Sequence, residues 1–169
     1  IETLARCPAE KPVLSTYLPE YEPPDARMQH PGHILRVKLR KLGGEQDPQL
    51  VHVTGTFVSF EDKERAGLYP SPFVVGNFLF SRRGMVEEVP IDPYFSFYGD
   101  EISYGARLWT YGYDIFQPDC VVMFHYWVRK NHLPIQEYRD TGSEKSRLSR
   151  LRGRHLLGLE TCDDANALR

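Results

Sequence analysis

The chain has 169 residues, of which 41% are apolar and 12% aromatic. This composition is sufficient for a single domain, residues 1–169, with a hydrophobic core of its own. The 21 Lys and Arg residues nearly balance the 23 Asp and Glu residues, for a formal net charge of -2. This balance excludes a general attraction to nucleic acid or to an anionic membrane, and no apolar run approaches the roughly eighteen residues of a membrane-spanning helix.

The three cysteines are widely spaced, at Cys7, Cys120 and Cys162. They form no Cys-x-x-Cys pair, and an odd, dispersed set is a poor disulfide framework. We therefore predict free thiols and a reducing compartment, the cytoplasm.

The first half of the chain predicts strands separated by a long loop. β-Branched and apolar residues predict strands over residues 12–17, 34–39 and 51–60. Four prolines in residues 18–33 block both helix and strand pairing and indicate a loop. The nearly continuous apolar run over residues 73–80 is typical of a buried strand.

A helix is predicted from Asp100, because Ile102, Ala106 and Trp109 recur on one face at helical spacing. Asp100 can cap this helix, and Gly112 stands where a left-handed helix end is expected.

Two short strands, over residues 113–116 and 121–127, are predicted on either side of Pro118. An amphipathic helix is predicted over residues 144–159, interrupted at Gly153. Its apolar stripe consists of Leu148, Leu151 and Leu159. Strands mixed with helices, without an internal repeat, predict an α/β domain.

The motifs of serine hydrolases, zinc proteases, P-loop proteins and dinucleotide-binding proteins are absent. The segment that remains as a candidate site is residues 90–101. Asp100 and Glu101 follow Gly99 at a helix start, where free amides and the helix dipole stabilise anions that can accept hydrogen bonds from ligand hydroxyls. Aromatic faces for stacking a sugar ring are offered nearby by Tyr94, Phe95, Phe97 and Tyr98. The alternative is that Asp100 only caps the helix and the aromatics are core.

Three further features each have two interpretations. Gly76 interrupts an apolar run, so Asn77 either bonds a sugar hydroxyl or amide or belongs to a simple β-bulge. His125 is either a metal ligand or a hydrogen-bonded core or edge histidine. The arginine-rich terminal helix either meets phosphates or presents a solvated basic face.

A family resemblance is carried by residues whose order and spacing run through the second half of the chain: Val89, Asp92, Pro93, Gly99, Asp100, Glu101, Ile102, Ser103, Ala106, Arg107, Leu108, Trp109, Thr110, Gly112, Tyr113, Asp114, Pro118 and His125. This pattern resembles a GlcNAc-transferring glycosyltransferase family, which includes cytoplasmic enzymes that modify hydroxyproline in a polypeptide. Residues 11–17 and 149–159 are also similar to the family, so the resemblance covers nearly the whole chain.

A more distant resemblance is to the polypeptide GalNAc transferases, whose order of glycine, acidic residue, arginine, glycine and metal-binding histidine is matched here by Gly99, Asp100, Arg107, Gly112 and His125. Together the resemblances imply a GT-A fold, a twisted α/β sheet that binds a UDP-sugar through a divalent cation, usually Mn²⁺.

The resemblance also implies roles for individual residues. His125 would be the third protein ligand of the cation, beside two carboxylates of an Asp-x-Asp motif. Asp100 and Glu101, the catalytic candidates, would hold hydroxyls of the donor sugar or the acceptor. The sugar pocket would be lined by Gly76, Asn77, Tyr98 and Gly99, and Arg107 would brace the loop by a salt bridge.

In the family, the Asp-x-Asp motif and the uridine-binding strands lie upstream of the segment that matches residues 11–17. No Asp-x-Asp occurs before Val51. We therefore expect the chain to be the C-terminal, acceptor-side part of a GT-A domain.

The resulting hypothesis is a retaining transfer of N-acetylglucosamine from UDP-GlcNAc to a hydroxyl acceptor, such as hydroxyproline, Ser or Thr of a protein. One alternative is a non-catalytic carbohydrate- or protein-binding module derived from the same fold. The other is a structural α/β domain in which Asp100 is a cap and His125 is core.

Overall fold

The structure is a computed structural model that describes residues 1–21, 32–40, 52–95, 99–126 and 143–168. No helix in these ranges combines the length and the apolar content that crossing a bilayer requires. The described elements, in chain order, are α1 (Glu2–Ala5), β1 (Pro12–Ser15), β2 (His33–Arg40), β3 (His52–Ser59), α2 (Lys63–Ala66), β4 (Tyr69–Pro70), β5 (Leu79–Phe80), α3 (Gly84–Glu88), α4 (Asp100–Thr110), β6 (Asp114–Gln117) and α5 (Glu144–Leu156).

The main sheet is mixed and has the strand order β4-β6-β1-β5. Strands β1 and β6 run parallel at its centre, with Val13 opposite Ile115, and the outer strands β4 and β5 are antiparallel to their neighbours. Parallel central strands need cover on their faces, and all residues of these two strands except Asp114 are buried. The predicted α/β class is confirmed, as are the strands at residues 12–17 and 113–116.

The hydrophobic core lies between this sheet and helix α4. Tyr104 and Leu108 of α4 pack with apolar residues of the sheet and of α3, in a cluster that comprises Val13, Val74, Met85, Val89, Tyr113 and Ile115. The hydroxyl of Tyr104 donates to the carbonyl of Val89 at 2.9 Å, which satisfies its polar end inside the core. The sheet and the core therefore determine where α4 begins and ends.

Strands β2 and β3 form a separate antiparallel pair, in register from His33 opposite Ser59 to Arg40 opposite His52. Both strands are confirmed predictions. The predicted loop over residues 18–33 falls mainly on residues 22–31, outside the described ranges.

The antiparallel pair is attached to the rest of the chain through Arg36, which is only 5% exposed. Its guanidinium donates to the carbonyls of Arg65 and Pro118, each at 2.7 Å, and to that of Gly67. Burial lowers the pKa of Arg36 from its usual value, while the charge of Asp119 acts in the opposite direction. A buried cation is tolerated here because backbone carbonyls surround it.

The predicted strand over residues 73–80 is wrong, because only Leu79 and Phe80 pair as a strand. The chain turns at Gly76 and Asn77, and the amide of Phe78 donates to the carbonyl of Val75 at 3.3 Å. The hydroxyl of Ser15, on β1, fixes this turn: it accepts from the amide of Val75 at 2.8 Å and donates to the carbonyl of Phe78 at 2.9 Å. This segment is therefore a turn and not a bulged strand.

Residues 121–126 do not form the predicted strand. They make one parallel bridge, between His125 and Glu20, while Met123 and Phe124 remain largely exposed. Because Pro118 ends strand β6 and no partner strand follows within the described ranges, the apolar composition alone does not produce a ladder. Trp127, the last residue of the prediction, lies outside the described residues.

Helix α5 is confirmed, but its buried face differs from the prediction. It begins after Ser143, whose hydroxyl accepts from the amide of Ser146 at 3.2 Å, and it continues through Gly153 without the predicted interruption. The buried residues are small, Ser146, Ser149 and Gly153, and Leu159 is 49% exposed. Because these residues are small, α5 can approach α4 closely, and the leucines lie at the sides of the contact between the two helices.

The face of α4 that carries Ile102, Ala106 and Trp109 does not belong to the core. These residues line a groove of about 510 Å³ together with residues 70–73 and 113–116, and Trp109 is 73% exposed. The three residues share one face of α4, as their spacing predicted. The core receives the opposite face of the helix, which carries Tyr104 and Leu108.

We predict that Arg36→Met lowers the free energy of unfolding by about 3 kcal/mol, because one buried and two partly buried carbonyls lose this donor. Arg83→Met is the control, since the Arg83 side chain is 90% exposed and, among the described residues, pairs with Glu87 alone, and it should change stability by less than about 0.5 kcal/mol. Urea unfolding measures both. Equal stability of the two variants would contradict the anchoring role of Arg36.

Candidate functional site

A cavity of about 180 Å³ lies at the beginning of helix α4. Its walls come from α4, from the segment around the turn at Gly76, and from the segment that precedes the helix. The lining residues are Val74, Val75, Gly76, Leu79, Ile91, Asp92, Phe95, Asp100, Glu101, Ser103, Tyr104 and Arg107. Three separate stretches of sequence thus meet around a small, largely apolar space that contains three carboxylates.

The helix begins after Gly99, which has φ 87° and so adopts a left-handed conformation that favours glycine. Asp100 is therefore the first helical residue and not the predicted cap. Its carboxylate still accepts from the amide of Glu101 at 2.8 Å, one of the amides that lack a partner within the helix. The Asp100 side chain therefore does cap one free amide of the helix, that of Glu101, although Gly99 and not Asp100 occupies the N-cap position.

Glu101 joins the helix to the turn. Its Oε1 atom accepts from the amide of Gly76 at 2.6 Å. A Cβ atom at Gly76 would lie 3.4 Å from the same oxygen, at the limit of ordinary contact. The sequence prediction placed Gly76 and Glu101 in one site, and the structure brings them into direct contact.

Both carboxyl groups are in an environment that disfavours their charge. Burial raises the pKa of Asp100 and the pKa of Glu101 above their ordinary values. For Glu101, the hydrogen bond from the amide of Gly76 offsets part of this increase in pKa, whereas the charge of the adjacent Asp100 adds to it. Burial, and secondarily the charge of Glu101, raises the pKa of Tyr17 to about 12. A negative potential inside a half-buried cavity favours hydrogen-bond donors as ligands.

The wall opposite the helix is formed by residues 91–95. The guanidinium of Arg107 donates to the carbonyl of Pro90 at 2.8 Å. Arg107 therefore braces this segment as predicted, but through a backbone carbonyl and not through the predicted salt bridge. Phe95 lines the cavity and Tyr94 is 53% exposed. Phe97 and Tyr98, the other predicted stacking aromatics, lie outside the described residues.

The structure thus brings together three of the predicted site residues, Asp100, Glu101 and Gly76, with Gly99 immediately before them. Asn77 is not among the residues that line the cavity, although its Oδ1 atom is buried and has no hydrogen-bond partner in the described part of the chain. Phe95, which the sequence offered as a stacking face, does line the cavity. Asp92 was not predicted to line a site, and only its place in the 90–101 segment pointed to it.

His125 is held at a different place, against the segment that follows β1. Its amide donates to the carbonyl of Pro19 at 2.9 Å, and its carbonyl accepts from the amide of Tyr21 at 3.0 Å. It does not line the cavity. In the described part of the chain no three His, Cys, Asp or Glu side chains come together so that they could hold a metal ion. These residues do not by themselves fit the Mn²⁺ site that the resemblance implies.

Three arginines of α5, Arg147, Arg152 and Arg154, are paired with carboxylates, so these three do not present a free phosphate-binding face. Arg147 pairs with Glu144 and Asp164, and Arg154 pairs with Glu160. The cysteines agree with their prediction, since Cys7, Cys120 and Cys162 are all free thiols.

We predict that Gly99→Ala lowers the free energy of unfolding by about 2 kcal/mol, through the left-handed conformation and through crowding. A Cβ atom there would lie 3.2 Å from Cε1 of Phe95. Gly112→Ala is the matched control, because Gly112 has φ 79° but open space around it, and it should cost only about 1 kcal/mol. Urea unfolding measures both, and identical losses would show that Phe95 does not crowd Gly99.

We predict that wild-type stability, relative to Asp100→Asn, decreases as pH rises. The pKa of Asp100 is raised in the fold by burial, so between its ordinary and its raised pKa the folded state binds more protons than the unfolded state. The stabilisation is therefore present below the ordinary pKa of 3.8 and is lost through the raised pKa. Urea unfolding from about pH 4 to about pH 8 measures the difference. Parallel stability curves would contradict the burial of this carboxyl group.

Comparisons with known proteins identify the family of the chain. No curated protein and no solved structure matches the chain significantly. A family model described as Glycosyltransferase (GlcNAc) matches residues 1–168, which include every element around the cavity. The chain therefore belongs to the GlcNAc glycosyltransferase family.

Proposed function

We propose that the cavity at the beginning of α4 holds a sugar ring during the transfer of N-acetylglucosamine from UDP-GlcNAc to a hydroxyl acceptor. The observation that carries this proposal is the pair of partly buried carboxylates, Asp100 and Glu101, inside a cavity of a GlcNAc glycosyltransferase family member. Such carboxylates accept strong hydrogen bonds from sugar hydroxyls, because an ionised acceptor in a medium of low dielectric binds neutral donors well.

The size and lining of the cavity support one sugar ring as its occupant. Its volume of about 180 Å³ is below the roughly 300 Å³ at which pockets for drug-sized ligands begin. Val74, Leu79 and Phe95 provide an apolar wall for the C–H face of a ring. The nucleotide part of the donor would therefore bind outside this cavity.

The reaction that we propose is a retaining transfer on a GT-A fold. The acceptor oxygen forms a bond to the anomeric carbon, the bond from that carbon to the UDP phosphate breaks on the same face, and the departing phosphate takes the acceptor proton. Asp100 and Glu101 orient hydroxyls and stabilise positive charge that develops on the ring. This mechanism requires no side-chain nucleophile.

The acceptor that we propose is a hydroxyl of a protein, such as hydroxyproline, Ser or Thr, and the proposed compartment is the cytoplasm. The free thiols of Cys7, Cys120 and Cys162 support a reducing compartment. The support for the acceptor is the family resemblance.

We predict that Asp100→Asn and Glu101→Gln each lower kcat/KM for UDP-GlcNAc about ten- to hundredfold, since each removes a hydrogen bond to a charged group worth about 1.5–3 kcal/mol. The assay is UDP release by the full-length protein that contains residues 1–169, with a panel of UDP-sugars. Glu87→Gln is the control, because Glu87 is exposed on α3 and its one ion pair among the described residues is with Arg83. Sugar binding without turnover would favour the carbohydrate-binding module. The absence of both turnover and binding would refute the proposal.

The Mn²⁺ requirement is a separate proposal, because the described residues do not form a complete site. If His125 is one of the ligands, EDTA removes UDP release by the full-length protein, Mn²⁺ restores it, and His125→Ala lowers the affinity for Mn²⁺. His33→Ala, at the start of β2, is the control. Full activity in EDTA would contradict the metal requirement, and unchanged Mn²⁺ affinity in His125→Ala would contradict the role of His125.

A further inference from the structure

The segment that forms one wall of the cavity is fixed by a residue of the C-terminal helix. Arg152, on α5, donates from Nε to Oδ2 of Asp92 at 2.8 Å, and its Nη2 atom lies 2.6 Å from the same oxygen. The two side chains are only 14% and 12% exposed. This is the geometry of an ordered ion pair and not of a mobile surface pair.

The same guanidinium contacts the rest of the wall. Its carbon lies 5.4 Å from the ring centre of Tyr94 and 5.9 Å from that of Phe95, within cation–π range. The other oxygen of Asp92, Oδ1, accepts from the amide of Tyr94 at 3.0 Å. Both oxygens of Asp92 are therefore engaged, and one planar cation spans the segment from residue 92 to residue 95.

Neighbouring contacts connect α5 to the start of α4. A Cβ atom at Gly153 would lie 3.4 Å from Cε1 of Phe95 and 3.8 Å from Cα of Gly99. The helix thus touches both the wall and the glycine that precedes the carboxylates. Arg152 also donates to the carbonyl of Ala167 at 3.0 Å, where the chain is again buried.

We propose that Arg152 is a positioning residue for the sugar site: it holds the wall of residues 92–95 at the distance from Asp100 and Glu101 that a bound ring requires. The proposal rests on the proposed function of the cavity. Arg152 does not itself line the cavity, whereas Asp92 and Phe95 do. Its effect on the sugar is therefore exerted through these two residues.

A loosened wall should weaken sugar binding more than it slows chemistry. We predict that Arg152→Met raises the KM for UDP-GlcNAc or for the acceptor roughly tenfold, while kcat changes less than about twofold. Arg152→Lys should give an intermediate KM, because it keeps the charge but loses the planar fork. Arg147→Met is the matched control, since Arg147 is also on α5 but, within the part of the chain that the structure describes, forms its ion pairs with Glu144 and Asp164.

The experiment has a second readout that does not depend on activity. Hydrogen exchange of the full-length protein should show that residues 91–95 lose protection in Arg152→Met and, to a smaller extent, in Arg152→Lys, but not in Arg147→Met. Should Arg152→Met fail to fold, Arg152→Lys decides the question, because it retains the ion pair with Asp92.

The two readouts separate the two proposals. Unchanged exchange at residues 91–95 in the Arg152 variants overturns the positioning role, as does an unchanged KM accompanied by a loss of kcat. A different outcome overturns the proposed function, and with it the sugar-positioning role. In that outcome, exchange increases in the Arg152 variants, but the wild-type protein neither turns over nor binds any UDP-sugar.

Discussion

The hydrogen bond from the amide of Gly76 to the carboxylate of Glu101, 2.6 Å long, is the contact on which the site depends. It joins a turn of the sheet layer to the first turn of α4, so that two parts of the chain separated by 25 residues form one cavity wall. Without it, Glu101 would be a partly buried carboxylate lacking its backbone donor, which would have to be replaced by water or a ligand. Because Asp100 is its immediate neighbour, the same contact also fixes the second carboxylate, and the negative potential of the cavity follows.

Sequence patterns predict the parts of this structure that are locally determined. Strands β1, β2, β3 and β6 and helices α4 and α5 follow from residue type and period, and Asp100 and Glu101 stand together because they are adjacent. The turn at Gly76 was missed because the hydroxyl that fixes it, on Ser15, is 60 residues away. The contact of Arg152 with Asp92 also spans 60 residues. Long-range side-chain pairings of this kind leave no periodic signal, and they determine the shape of the cavity.

Family membership and cavity geometry describe the protein at two different levels. The family model places the chain among GlcNAc glycosyltransferases, while the cavity shows how this chain arranges its own acidic residues. The two adjacent carboxylates accept from amides of different segments, Asp100 from Glu101 and Glu101 from Gly76. Burial raises the pKa of both, and the charge of Asp100 raises that of Glu101 further. A site with these properties is suited to sorting ligands by their hydroxyl pattern, because each misplaced hydroxyl leaves a buried acceptor without its partner.

The antiparallel pair β2–β3 stands apart from the main sheet, and side chains connect it to the remainder of the chain. Arg36 reaches three carbonyls, Thr16 donates to the carbonyl of Leu35 at 3.2 Å, and Gln117 accepts from the amide of Val37 at 2.6 Å. The attachment also includes the hydroxyl of Tyr17, which donates to the carbonyl of Val53 at 2.9 Å, and the packing of Ile34 and Val58 on Ala66 of α2. A protein engineer who exchanges the sequence of both strands therefore has to retain the arginine, the register at residues 35–37 and these two apolar side chains, and the central strands need not change.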